Sequence, residues 1–163
     1  MSLKYASLYL WITCFIVLFA PLNNALSQVT QARNVIYIEG FGPGILYSVN
    51  YERYLSETTT ARIGFSSWTK EDFSFTGIPL LVNYLVGNGN NKLELGIGLE
   101  YIDISTGDFS IISGSGSSIV GIGSIGYRYQ PSDGGMHFRL VLNPMLIMGE
   151  IRLTAGISIG VCF

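Results

Sequence analysis

The residues of this chain that could do chemistry are few, and each can be tested against its neighbours. His137 is the only histidine. With Ser124 or Ser158 as nucleophile and Glu94 to orient the ring, it would make a Ser–His–carboxylate hydrolase. It follows directly on the turn sequence PSDGG, however, and an interior histidine hydrogen-bonded to Arg or Glu neighbours is the simpler expectation. One histidine and two cysteines, Cys14 and Cys162, show no metal-ligand spacing, so no metal or cofactor is expected. GIGSIG at 121–126 matches G-x-G-x-x-G, but a dinucleotide site needs that motif at a turn opening a helix. Here it runs on into YRYQPSDGG, a strand pattern and then a turn, where glycine makes room or permits a bend. Glu71, Asp72, Asp103 and Asp108 would suit a calcium ion, or simply carry solvated loop charge. None of these groupings defines an enzyme, and no enzymatic activity is expected.

The elements that position these residues begin after a leader. Lys4, the apolar run LYLWITCFIVLFA (8–20) and then PLNNALS have the order of a secretory signal peptide, residues 1–27, with cleavage expected before Gln28. The run is shorter than the ~20 residues of a membrane-spanning helix. Cys14 follows Trp-Ile-Thr rather than the small residues of a lipoprotein signal. Residues 28–163 are then one domain. Without Lys4, 8 of the 9 basic residues face 11 acidic ones, a net charge of −3 with no basic patch, so no nucleic-acid partner is expected. Cys162 is the only cysteine left, which excludes an intramolecular disulfide.

The domain shows no helical period. Eight runs alternate with a period near two: 34–42, 45–55, 59–68, 77–87, 92–103, 117–130, 136–146 and 152–163. Each is near the ~9–11 residues of a tilted membrane-spanning strand. SETT, NGNN and PSDGG, after the second, fourth and sixth runs, are compact turn chemistry. TKEDFSFT and STGDFSIISGSG, after the third and fifth, are longer, while GPG and IMGE are short. An even strand count with turns at one end and longer loops at the other predicts an all-β, eight-stranded antiparallel up-and-down transmembrane β-barrel.

The faces follow from the fifth run, where Leu93, Leu95, Ile97, Leu99 and Tyr101 alternate with Lys92, Glu94, Gly96, Gly98 and Glu100. A soluble lipocalin-like barrel would turn the apolar set inward. Glycine and serine mixed with a few charges instead suit the narrow interior of an eight-stranded barrel. The same parity gives a polar interior network of Glu39, Glu52, Glu94 and Glu100 against Arg62, Lys92, Arg128, Arg139 and Arg152, with Asn50, Asn83 and Asn143 to bridge. Tyr37, Tyr47, Tyr51, Tyr84, Tyr101, Tyr127, Tyr129 and Phe163 lie near strand ends and read as aromatic belts.

YIEGFGPGILYSVNYERYL, IPLLVNYLVGNGNNKLELGIG, GYRYQPSDGG and AGISIG resemble small outer-membrane barrel proteins of Bacteroidetes-type bacteria. The resemblance implies the barrel fold and an outer-membrane location, and carries over no catalytic residues. In the OmpA and OmpW barrels, a terminal aromatic on the last strand looks like the signal read by the barrel-assembly machinery, which by resemblance makes Phe163 the assembly signal. Cys162 beside it and Val161 two positions before it depart from that pattern. The expected function is a monomeric outer-membrane barrel of structural or surface-interaction type with a plugged polar interior. Its expected partners are lipid and, during biogenesis, the assembly machinery; any ligand of the outer loops is left open. The alternatives are a conduit for small or hydrophobic solutes, and an outer-membrane lipid-modifying enzyme.

Overall fold

The structure, a computed structural model, describes residues 32–70, 73–106 and 116–163. The expected signal peptide lies outside the described residues, as do Glu71, Asp72 and Asp108. Eight strands follow in chain order: β1 (Asn34–Gly40), β2 (Tyr47–Tyr54), β3 (Thr59–Lys70), β4 (Phe73–Val86), β5 (Asn91–Thr106), β6 (Gly116–Tyr129), β7 (Gly135–Ile147) and β8 (Glu150–Cys162). Each pairs antiparallel with the next, and β8 pairs back onto β1 to close the barrel. That last seam runs from Val35 opposite Cys162 to Gly40 opposite Ile157. It is extended by reciprocal backbone bonds between Asn34 and Phe163, both 2.9 Å. Closure removes the free sheet edge along that seam.

The walls are unequal in height, since β1 has 7 residues and β5 has 16. TKEDFSFT, expected as a loop, is instead mostly strand, with pairing that continues to Lys70 opposite Phe73. The inward side chains explain the extension: Trp68 stacks on Phe73 at 4.8 Å and on Phe75 at 6.0 Å, so pairing continues where apolar contact rewards it. Two ladders are interrupted while keeping their register, one opposite Pro79 in β3–β4 and one opposite Pro144 in β6–β7. Proline has no N–H to contribute, and each stands across from a glycine, Gly64 and Gly123. A β-carbon on Gly64 would come within 2.8 Å of the Pro79 ring.

Burial alternates with the parity read from the sequence. Ile97 is 77% exposed and Ile159 56%, while Glu94 and Arg139 are fully buried. The outward side of β5 carries no charge from Leu93 to Tyr101. That is about 27 Å of strand at ~3.4 Å per residue, or roughly 20 Å of height at the usual tilt. Apolar side chains continue around the other strands, far beyond the patch a soluble monomer exposes. The inverted, lipocalin-like arrangement is therefore not what forms. Tyr47, Tyr84, Tyr101 and Tyr127 are on the outer surface, but Tyr37 departs from the expected belt: its parity is inward and it is 1% exposed.

Candidate functional site

Among the described residues, charged and polar side chains converge in number in the interior, and its members come from seven strands. Arg139 on β7 donates to Glu94 on β5 through Nε and through Nη2 at 2.7 Å, and to Glu39 on β1 through Nη1 at 2.7 Å. Arg128 on β6 holds Glu94 at 2.5 Å and Glu52 of β2 at 2.8 Å. Arg62 on β3 donates to Glu39 at 2.6 Å and to Asn50 Oδ1 at 2.9 Å. Glu52 also accepts from Asn83 at 3.0 Å, from Tyr37 at 3.2 Å and from Thr60. Ser124 donates to Glu94 at 2.9 Å. Three guanidiniums and three carboxylates thus form one lattice, and all six charged side chains are shielded from solvent. In that setting each charge depends on its partners, because desolvation removes what water would supply.

Glycine makes the space for this lattice. A β-carbon on Gly42 or Gly156 would meet the Glu39 carboxylate, and one on Gly64 or Gly96 would meet the amide oxygens of Asn50 and Asn83. Above the polar layer, towards the end of the barrel away from Asn34 and Cys162, the interior turns apolar. Phe75, Leu81, Ile102, Ile104, Val120, Ile122 and Met145 fill it, with Trp68, Phe73 and Ile147 alongside.

The other expected members of the network sit differently. Glu100 is fully buried, yet neither carboxylate oxygen has a hydrogen-bond partner among the described residues. Lys92 stands near the N-terminal end of the barrel, where its Nζ meets Tyr54 Oη at 2.8 Å rather than a carboxylate. Arg152 corrects the sequence reading. It lies at the far rim on β8, its side chain is 53% exposed, and it pairs with its neighbour Glu150 at 2.9 Å. Alternation tells which face a residue takes, whereas its height along the strand decides whether that face is enclosed. Tyr37, Thr60, Ser124 and Gln130 belong to the lattice or its border and escaped the sequence reading of the network, although their inward parity marked them.

The hydrolase grouping is not assembled. The Ser124 hydroxyl is held between Glu94 and Arg139, the latter at 3.0 Å. Ser158 Oγ and both His137 nitrogens have no hydrogen-bond partner among the described residues. His137, expected to bond to Arg or Glu, instead packs its ring against Tyr37 with centroids 5.1 Å apart. Among the described residues no three His, Cys, Asp or Glu side chains cluster as metal ligands would. Asp103 is half-buried on the outward side of β5, near its far end.

No protein-family model matches the chain, and no curated protein matches it. Solved structures do match. The N-terminal β-barrel domain of Pseudomonas aeruginosa OprF aligns with a TM-score of 0.67 and 15% identity, over 82% of this chain and 98% of that one. The Yersinia pestis outer membrane protein Ail in a phospholipid bilayer nanodisc aligns with a TM-score of 0.50 and 11% identity, over 82% of this chain and 100% of that one. The fold is that of outer-membrane barrels, and the apolar band is the surface such a barrel turns to lipid.

Proposed function

We propose that the chain is an outer-membrane barrel of structural or surface-interaction type, with an interior that is a plug rather than a pore. The observation that carries this reading is the enclosed lattice of Arg62, Arg128 and Arg139 with Glu39, Glu52 and Glu94. A water-filled lumen would solvate those side chains. In this reading the signal peptide is removed on export, the barrel is a monomer in bacterial outer-membrane lipid, and the end holding Asn34 and Cys162 faces the periplasm. The sequence stretches quoted above support placing it among the small Bacteroidetes-type barrels. In this reading it performs no catalysis, supported by a Ser124 hydroxyl committed to Glu94 and a His137 ring with no proton-transfer partner among the described residues.

Two measurements test the proposal. The mature protein should fractionate with the outer membrane and show heat-modifiable migration in detergent gels; recovery in the soluble periplasm would end the membrane reading. In planar bilayers it should give no steady conductance, and a sustained open channel would overturn the plug. The hydrophobic-solute conduit has one observation in its favour. An apolar groove of about 620 Å³ lies on the lipid side, along Ile97, Leu99, Gly121, Gly123, Pro144 and Leu146, where the β6–β7 ladder is interrupted.

A further inference from the structure

We propose that the periplasmic mouth of the barrel is a binding site for a phosphate group, held by Lys92, Arg33 and the side-chain amide of Gln130. These three residues line a cleft of about 250 Å³ at the end that holds Asn34 and Cys162, together with Tyr54, Glu57 and Ser132. The first observation concerns Lys92. The three interior arginines each reach a carboxylate within 2.9 Å, but Lys92 Nζ has a neutral phenol at 2.8 Å, with the Tyr54 ring centre at 5.1 Å. Glu100, an interior carboxylate with no hydrogen-bond partner among the described residues, is eight residues away on the same strand, about 27 Å at ~3.4 Å per residue. It cannot serve as the missing counter-charge.

The second observation is independent of charge. Gln130 is 1% exposed, and its Oε1 accepts from Arg128 Nη1 at 3.1 Å. Its Nε2 lacks an acceptor among the described residues. A buried donor left unmade is costly, and such groups in folded proteins are normally satisfied by an acceptor. An oxygen-rich anion in the cleft would accept from Gln130 Nε2 and face the Lys92 ammonium, a compact charge suited to phosphate. The exposed Arg33 guanidinium adds a fork of donors at the rim. Glu57 also lines the cleft and opposes an anion. It is exposed and screened by solvent, and two cations against one carboxylate leave the lining of the cleft net positive.

Phosphate reaches a periplasmic mouth either as the free ion or on a phospholipid headgroup. The full mature chain, folded in zwitterionic micelles, distinguishes them. Inorganic phosphate and the soluble lipid dihexanoyl phosphatidylglycerol are titrated separately while the Gln130 side-chain amide and the Lys92 and Ser132 backbone amides are followed by NMR. Saturable shifts in the millimolar range are expected with at least one probe. A response to inorganic phosphate alone identifies the free ion, and a response to the lipid identifies the headgroup. Lys92→Gln should weaken binding tenfold or more, and Lys70→Gln at the opposite end should leave it unchanged, with heat-modifiable migration verifying that both fold. No saturable shift beyond that given by sodium chloride at equal ionic strength, or equal binding in Lys92→Gln, overturns the proposal. The site rests on the membrane reading only for the compartment that supplies the ligand, so its failure in micelles would leave that reading untouched.

Discussion

Arg139 joins Glu94 to Glu39 across the lumen, so its loss takes one of two guanidiniums from each of two buried carboxylates and leaves three carboxylates on two cations. Arg139→Met is expected to destabilise the barrel by about 3–5 kcal/mol in urea unfolding from micelles. Adding Glu94→Leu should recover part of that loss, and a strictly additive double mutant would show that the pair is not coupled. His137 makes the opposite case. Because its nitrogens have no hydrogen-bond partners among the described residues and its ring rests on Tyr37, His137→Phe should change stability by less than ~1 kcal/mol and leave the lipid composition of the host strain unaltered. An altered lipid profile would return the hydrolase reading to contention. Parity in the sequence found all six charges of the lattice, because a two-residue period is imposed by the backbone. It could not find the partner of each guanidinium, which depends on strands far apart in sequence, as with Arg128 and Glu52. Nor could it place Arg152, whose enclosure depends on how high its neighbouring strands rise.

At the scale of elements, turns show where local chemistry and geometry disagree. The β7–β8 link has Met148 at φ 52° and Gly149 at φ 86°, a two-residue hairpin in which both central residues are left-handed. Such turns favour Asn-Gly, and Met148 is exposed, so its side chain contributes little packing. Met148→Asn is expected to stabilise the barrel by about 0.5–1 kcal/mol, read as a higher unfolding midpoint. An unchanged or lower midpoint would mean that the methionine makes contacts that offset its backbone conformation. All eight strands were legible in the sequence to within a few residues, except where β3 and β4 run on through TKEDFSFT. Charged and polar letters there suggest a loop, but pairing is decided by the stacked Trp68, Phe73 and Phe75.

For the whole molecule, the seam that closes the barrel includes Phe163, whose backbone N–H and carbonyl both bond Asn34 while its side chain is 56% exposed. Phe163→Ala keeps those backbone bonds. If the side chain is an assembly signal, the variant should reach the outer membrane at a fraction of the normal level, yet unfold near the normal midpoint once refolded in micelles. Normal membrane levels would refute the signal. The same seam has a further consequence. The β1–β2 hairpin supplies Glu39 and Glu52, while the three arginines all stand on the sheet running from β3 to β8. Taken without the hairpin, the inner face of that sheet sets three guanidiniums against Glu94 and Glu100, and the piece that completes it is acidic, like a stave cut to fit one gap in a cask. A hairpin slid by two residues would keep its faces but carry both carboxylates about 7 Å from their guanidiniums. Charge therefore locks the hoop at one notch, and the lattice that fills the lumen also selects the register in which the barrel shuts.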